Sequence, residues 1–72
     1  MDKSIHSKEY AVVLQRLKKA RLEAGLTQVQ VADKLNHHQS YIYKIESGER
    51  RVDVVELNRI AKLYGKSMSY FL

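Results

Sequence analysis

Five hydrogen-bonding side chains near the middle of the chain, Gln39, Ser40, Tyr43, Lys44 and Ser47, recur at i, i+1, i+4, i+5 and i+8. On an α-helix that spacing gathers them on one face, and none is acidic. Gln can bond adenine N6 and N7 in bidentate fashion, Lys can donate to guanine O6 and N7, and Ser meets base edges less selectively. A face meant only for water is expected to mix in Glu or Asp. By itself the pattern leaves base recognition and an ordinary solvated face level.

Other chemistries have weaker support. His37 and His38 with His6 raise the question of a metal site. Adjacent turn histidines point apart, however, and neither an H-x-x-x-H helix nor a Cys exists, so no metal is expected. No Gly-rich phosphate cradle and no nucleophile with a base at a recognised spacing is visible. Glu46 and Glu49 are better explained by a scaffold ion pair and loop solvation than by acid-base work. No enzyme activity, cofactor or small-molecule ligand is expected.

The elements that must position the central face read as helices. Tyr10, Val13, Leu14, Leu17, Ala20 and Ala24 form an apolar stripe at three- and four-residue steps, closed by Gly25. Thr27-Gln28-Val29-Gln30 fits a capping box that opens a short second helix, with Val31, Ala32 and Leu35 inward. Asn36 tolerates a left-handed turn. A third helix is expected from Gln39 to Ser47, with Ile42 and Ile45 inward and Tyr41 at the margin. Asp53 and Glu56 offer a second capping box, followed by Leu57, Ile60, Ala61 and Tyr64 at i, i+3, i+4 and i+7. A fifth short helix is expected within residues 66–72. With no long β-type alternation and no repeat, the class is all-α.

Composition bounds what this frame can do. The chain has 72 residues, no Cys, and 13 Lys and Arg against 8 Asp and Glu, for a net charge of +5. One small domain over 1–72 is expected, with residues 1–7 as a flexible arm and no room for a sensor. The lack of Cys fits a reducing cytoplasm, and no apolar run approaches the roughly 20 residues that span a bilayer. We therefore expect a cytoplasmic, nucleoid-associated protein without a signal peptide. The basic excess favours polyanionic partners, though only slightly.

Two short helices joined by a tight turn form a helix-turn-helix, whose second helix can enter the major groove. Residues Leu26 to Ser47 resemble the helix-turn-helix of the lambda repressor-like, Cro/cI or XRE family. The resemblance rests on Leu26-Thr27-Gln28, Val31-Ala32, Leu35, Ile42 and Ile45, and the exit Glu46-Ser47-Gly48-Glu49-Arg50-Arg51. It continues through Leu57, Ile60, Ala61, Tyr64 and Gly65, and so covers the chain from about Leu14. It implies a compact five-helix domain that regulates transcription by binding double-stranded DNA. It further implies base reading by His38, Gln39, Ser40 and Lys44, with Tyr43 as a flank contact. Phosphate contacts fall on Gln28, Ser47, Arg50 and Arg51, and a partly buried salt bridge on Arg21 and Glu46. Three positions depart from the family pattern: Asn36 replaces the usual Gly, His37 a small apolar residue, and His38 a capping Ser or Thr.

The apolar end of the chain, Met68, Tyr70, Phe71 and Leu72 with Tyr64, can either cap the core or bury itself against a second copy. A homodimer reading two half-sites about 34 Å apart is the expectation. The competing class is a protein-interaction module on the same fold, such as an antitoxin-like subunit. RNA is disfavoured because A-form grooves do not admit a helix and no aromatic stacking platform is visible.

Overall fold

The computed structural model describes residues 7–72. His6 and the expected arm, apart from Ser7, lie outside them. Ser7 itself belongs to the first helix, since its hydroxyl accepts the Tyr10 N–H at 3.0 Å and caps α1, Lys8–Glu23. Leu17 and Ala20 of α1 are buried as the stripe requires, but Ala24 is exposed because the helix has already ended.

Thr27 opens α2, Gln28–Lys34, with both halves of the capping box formed. The Thr27 hydroxyl accepts the Gln30 N–H at 3.0 Å, and Gln30 Oε1 accepts the Thr27 N–H at 2.9 Å. Asn36 then turns left-handed at φ 58°. The Asn36 and His37 N–H groups donate to the carbonyls of Asp33 and Ala32, a Schellman closure with Asn in the place Gly usually takes.

The third helix is shorter than expected. It is α3, Tyr41–Glu46, while Gln39 and Ser40 form a preceding turn closed by the Tyr41 N–H on the His38 carbonyl at 2.9 Å. The reason is local: the His38 ring takes the Ser40 N–H on Nδ1 at 3.2 Å, so the backbone at Ser40 is satisfied outside the helix. Its other end closes at Gly48, φ 80°.

The second capping box opens α4, Val54–Tyr64, with the Asp53 carboxylate accepting the Glu56 N–H at 2.7 Å. The expected fifth helix is a single 3-10 turn, Met68–Tyr70, held by i to i+3 bonds from Tyr70 to Ser67 and from Phe71 to Met68. Among the described residues there are thus four α-helices, this turn and no strand.

α2 packs chiefly on α3, α1 on α3 and α4, and the final turn on α4. The core they enclose holds Leu17, Ala20, Val31, Ala32, Ile42, Ile45, Ile60 and Phe71, each nearly or wholly shielded from water. Burying a side chain of this size contributes roughly 1.5–3 kcal/mol. That packing fixes α3 by its inner side and leaves its outer side in water.

Candidate nucleic-acid interface

Gln39, Tyr43, Lys44 and Ser47 are exposed on the outward side of α3 and its preceding turn, with His38 exposed before them and Ser40 half-buried. No acid interrupts that side, because Glu46 points inward with a side chain only 7% exposed. Among the described residues no ion pair holds Lys44, so its ammonium remains available.

Beneath this face lies the Arg21 and Glu46 pair. Arg21 donates from Nε to Glu46 Oε2 at 2.7 Å and from a terminal nitrogen to Oε1 at 3.1 Å, tying α1 to the end of α3. Its third bond goes to the Leu26 carbonyl at 3.0 Å. Gln28 joins the same network, its Nε2 donating to Glu46 Oε1 at 3.0 Å. A side chain expected to reach toward the DNA backbone is therefore drawn inward by its amide nitrogen.

A second cluster, which sequence reasoning did not find, surrounds Tyr41. Rather than standing at the margin, this residue is buried, with its ring stacked on His37 at 3.7 Å and 5°. The Arg50 guanidinium lies 5.1 Å from the ring centre. The Tyr41 hydroxyl donates to Glu56 Oε2 at 3.1 Å, and burial together with this bond pushes the phenol up to about 12. Glu56 also receives Arg50 in a fork at 3.1 and 2.8 Å, and the Asp53 N–H at 3.1 Å. Held foremost by the Arg50 guanidinium, its carboxyl falls to about 2.

Arg50 thus differs from its expected role as an unencumbered phosphate cation: Glu56 offsets its charge. Its side chain is still 42% exposed. Arg51 lies over the Tyr10 ring at 5.8 Å, and the Tyr10 hydroxyl accepts the Val52 N–H at 3.1 Å, fastening the loop to α1. The stack against Tyr41 accounts for His37 in a place where small apolar residues are usual: its ring covers a buried aromatic.

The apolar end of the chain divides. Tyr64 and Phe71 are core residues, at 6% and 0% exposure, so neither is free to meet a second copy. Met68 and Tyr70 are half-buried, and Leu72 is exposed. Met68 and Leu72 line a shallow cleft with Val54, Leu57, Val13 and Tyr10. Among the described residues no group of three or more His, Asp or Glu side chains is placed to hold a metal ion, and no helix is long and apolar enough to cross a membrane.

Lys18 is a residue of this region that the sequence did not single out. It sits one turn before Arg21 on α1 and borders a notch shared with Gln28, Tyr43, Glu46 and Ser47. The signal was available, since positions three apart on a helix share a side, and Arg21 is committed to the α3 end.

A family model described as Helix-turn-helix matches residues 17–71. No curated protein matches the chain.

Proposed function

Because the chain belongs to the helix-turn-helix family of the XRE, Cro/cI-like type, a family of DNA-binding regulators rather than enzymes, we propose that it is a sequence-specific transcriptional regulator that acts by occupying an operator. It reads the major groove with α3 and the turn before it. Base edges are met by His38, Gln39, Ser40, Tyr43 and Lys44, and phosphates by Ser47, Arg51 and the exposed end of Arg50, while Gln28 is held inward on Glu46. One observation carries the reading: the outward side of α3 is exposed, free of acid and headed by Lys44, which no acid holds among the described residues.

Residues 1–72 act as a single domain in the cytoplasm, and two copies bind a palindromic site. The exposed apolar residues Val54 and Leu72, with Met68 beside them in one cleft, are the surface through which the copies meet. Sedimentation at micromolar concentration is expected to give a dimer, and a monomer throughout overturns that part.

Selection of bound sites from random duplex DNA tests the whole reading, and a palindrome of defined spacing is the expected result. On that site Lys44→Ala and Gln39→Ala each lose about 1–3 kcal/mol with relaxed sequence choice. If both bind as the parent does, the protein-interaction reading takes over.

A further inference from the structure

Among the described residues, several cations are already held by an acid. Arg21, Arg50 and Lys66 are paired with Glu46, Glu56 and Glu23 at 2.7, 2.8 and 3.0 Å. Among the described residues no ion pair or hydrogen bond holds Lys18. It lines a notch of about 180 Å³ where three helices meet, with Gln28 from the start of α2 and Tyr43, Glu46 and Ser47 from the end of α3.

The one acid of that notch is spent. Glu46 takes Arg21 on both oxygens and Gln28 on one, and its side chain is almost wholly shielded. The Ser47 hydroxyl donates to the Lys44 carbonyl, while Tyr43, which also lines the notch, is 54% exposed. The notch is therefore lined by one cationic side chain, Lys18, that no acid holds among the described residues, on the flank of the acid-free face of α3. The space has room for several water-sized groups at about 30 Å³ each, and so for a tetrahedral anion.

We infer that this notch seats a phosphate of the DNA backbone, with Lys18 as its cation. The inference rests on the DNA-reading proposal above and moves the main phosphate grip from the loop at Arg50 to the side of α1. The energetic reason is partner exchange. A cation already neutralised by a carboxylate gains little by meeting a phosphate, whereas an unpaired one releases its counterion in full, about 0.9 of a unit in the salt slope.

The test is a salt titration of binding to a mixed-sequence duplex of about two helical turns and to the selected site. Lys18→Gln is compared with the parent, Lys18→Arg, Arg50→Gln, Lys44→Ala and, as a remote surface control, Lys62→Gln. Lys18→Gln is expected to weaken binding to both duplexes by the same factor and to flatten the slope by about 0.9, so that its deficit narrows about 3.5-fold between about 50 and 200 mM salt. Lys18→Arg restores the slope, Arg50→Gln changes it by less, and Lys62→Gln leaves it alone. Thermal melting of Lys18→Gln at the parent midpoint shows that the fold is intact. A parental slope in Lys18→Gln overturns the inference while leaving the regulator reading standing, provided that Lys44→Ala still relaxes sequence choice. A loss equal to that of Lys62→Gln, or confined to one sequence, overturns it as well. A parent that binds neither duplex sinks the DNA reading itself.

Discussion

Two Arg and Glu pairs, each closed by two hydrogen bonds, sit at opposite ends of α3. Arg21 and Glu46 come from residues 25 apart and are buried, at 8% and 7% side-chain exposure. Arg50 and Glu56 are 6 apart, and the arginine is 42% exposed. The inner pair joins α1 to α3 and decides whether the face-bearing helix is held at all. The outer pair joins a loop to the first turn of α4 and decides how much charge that loop shows to the solvent. Two pairs with the same number of hydrogen bonds thus have unequal consequences, because water screens the outer pair more than the inner one.

The contrast breaks most visibly at Glu46. Glu46→Ala leaves a buried guanidinium without its anion and is expected to cost about 3–5 kcal/mol in urea unfolding. A loss below that of the outer pair would show that Arg21 finds water instead. Glu56→Ala removes a partly exposed ion pair, half a capping box and the acceptor of the Tyr41 hydroxyl, and about 1–2 kcal/mol is expected.

The outer pair also carries a pH signature. Glu56 titrates lower when folded, at about 2 against 4.5, so its stabilisation is complete above about pH 4.5 and is lost as the pH falls through about 2. Glu56→Gln should remove that part of the acid transition, as followed by circular dichroism along an acid titration. An unchanged acid limb would mean that Arg50 does not hold the carboxylate in solution. Raising salt to about 1 M, where the Debye length is about 3 Å, should shrink the Arg50 and Glu56 coupling in a double-mutant cycle and spare the Arg21 and Glu46 coupling. At the small end stands Lys66, paired with the exposed Glu23. Lys66→Ala should leave the unfolding midpoint where it was.

What the sequence disclosed follows the same division between near and far. Thr27 with Gln30 and Asp53 with Glu56 act across three residues, so their capping boxes were legible from the letters alone. Asn36 was readable for the same reason, as a local conformational preference. The Arg21 and Glu46 pair came only through family resemblance, since no periodicity links residues 25 apart. Tyr41 was misplaced at the margin because its burial depends on His37 before α3 and on Arg50 and Glu56 after it. That Glu56 lies opposite Arg50 and offsets its charge was not legible, although the two are only 6 residues apart. Tyr64 and Phe71 were offered to a second copy because an apolar cluster reads alike whether it is covered from within or from outside. On the outward side, Tyr43 and Lys44 lie on α3 as helical spacing requires, whereas Gln39 and Ser40 lie in the turn before it, which that spacing could not show.

The clasp between Tyr10 and Val52 has a kinetic meaning. Together with the bond from Arg16 to the Tyr70 carbonyl at 3.2 Å, it joins α1 to segments 42 and 54 residues away. Closing such loops costs chain entropy before any contact repays it, whereas α2, its turn and α3 assemble from neighbours in sequence. The pair of α2 and α3 can therefore form early and locally, and the molecule waits for α1 to find the far end of the chain.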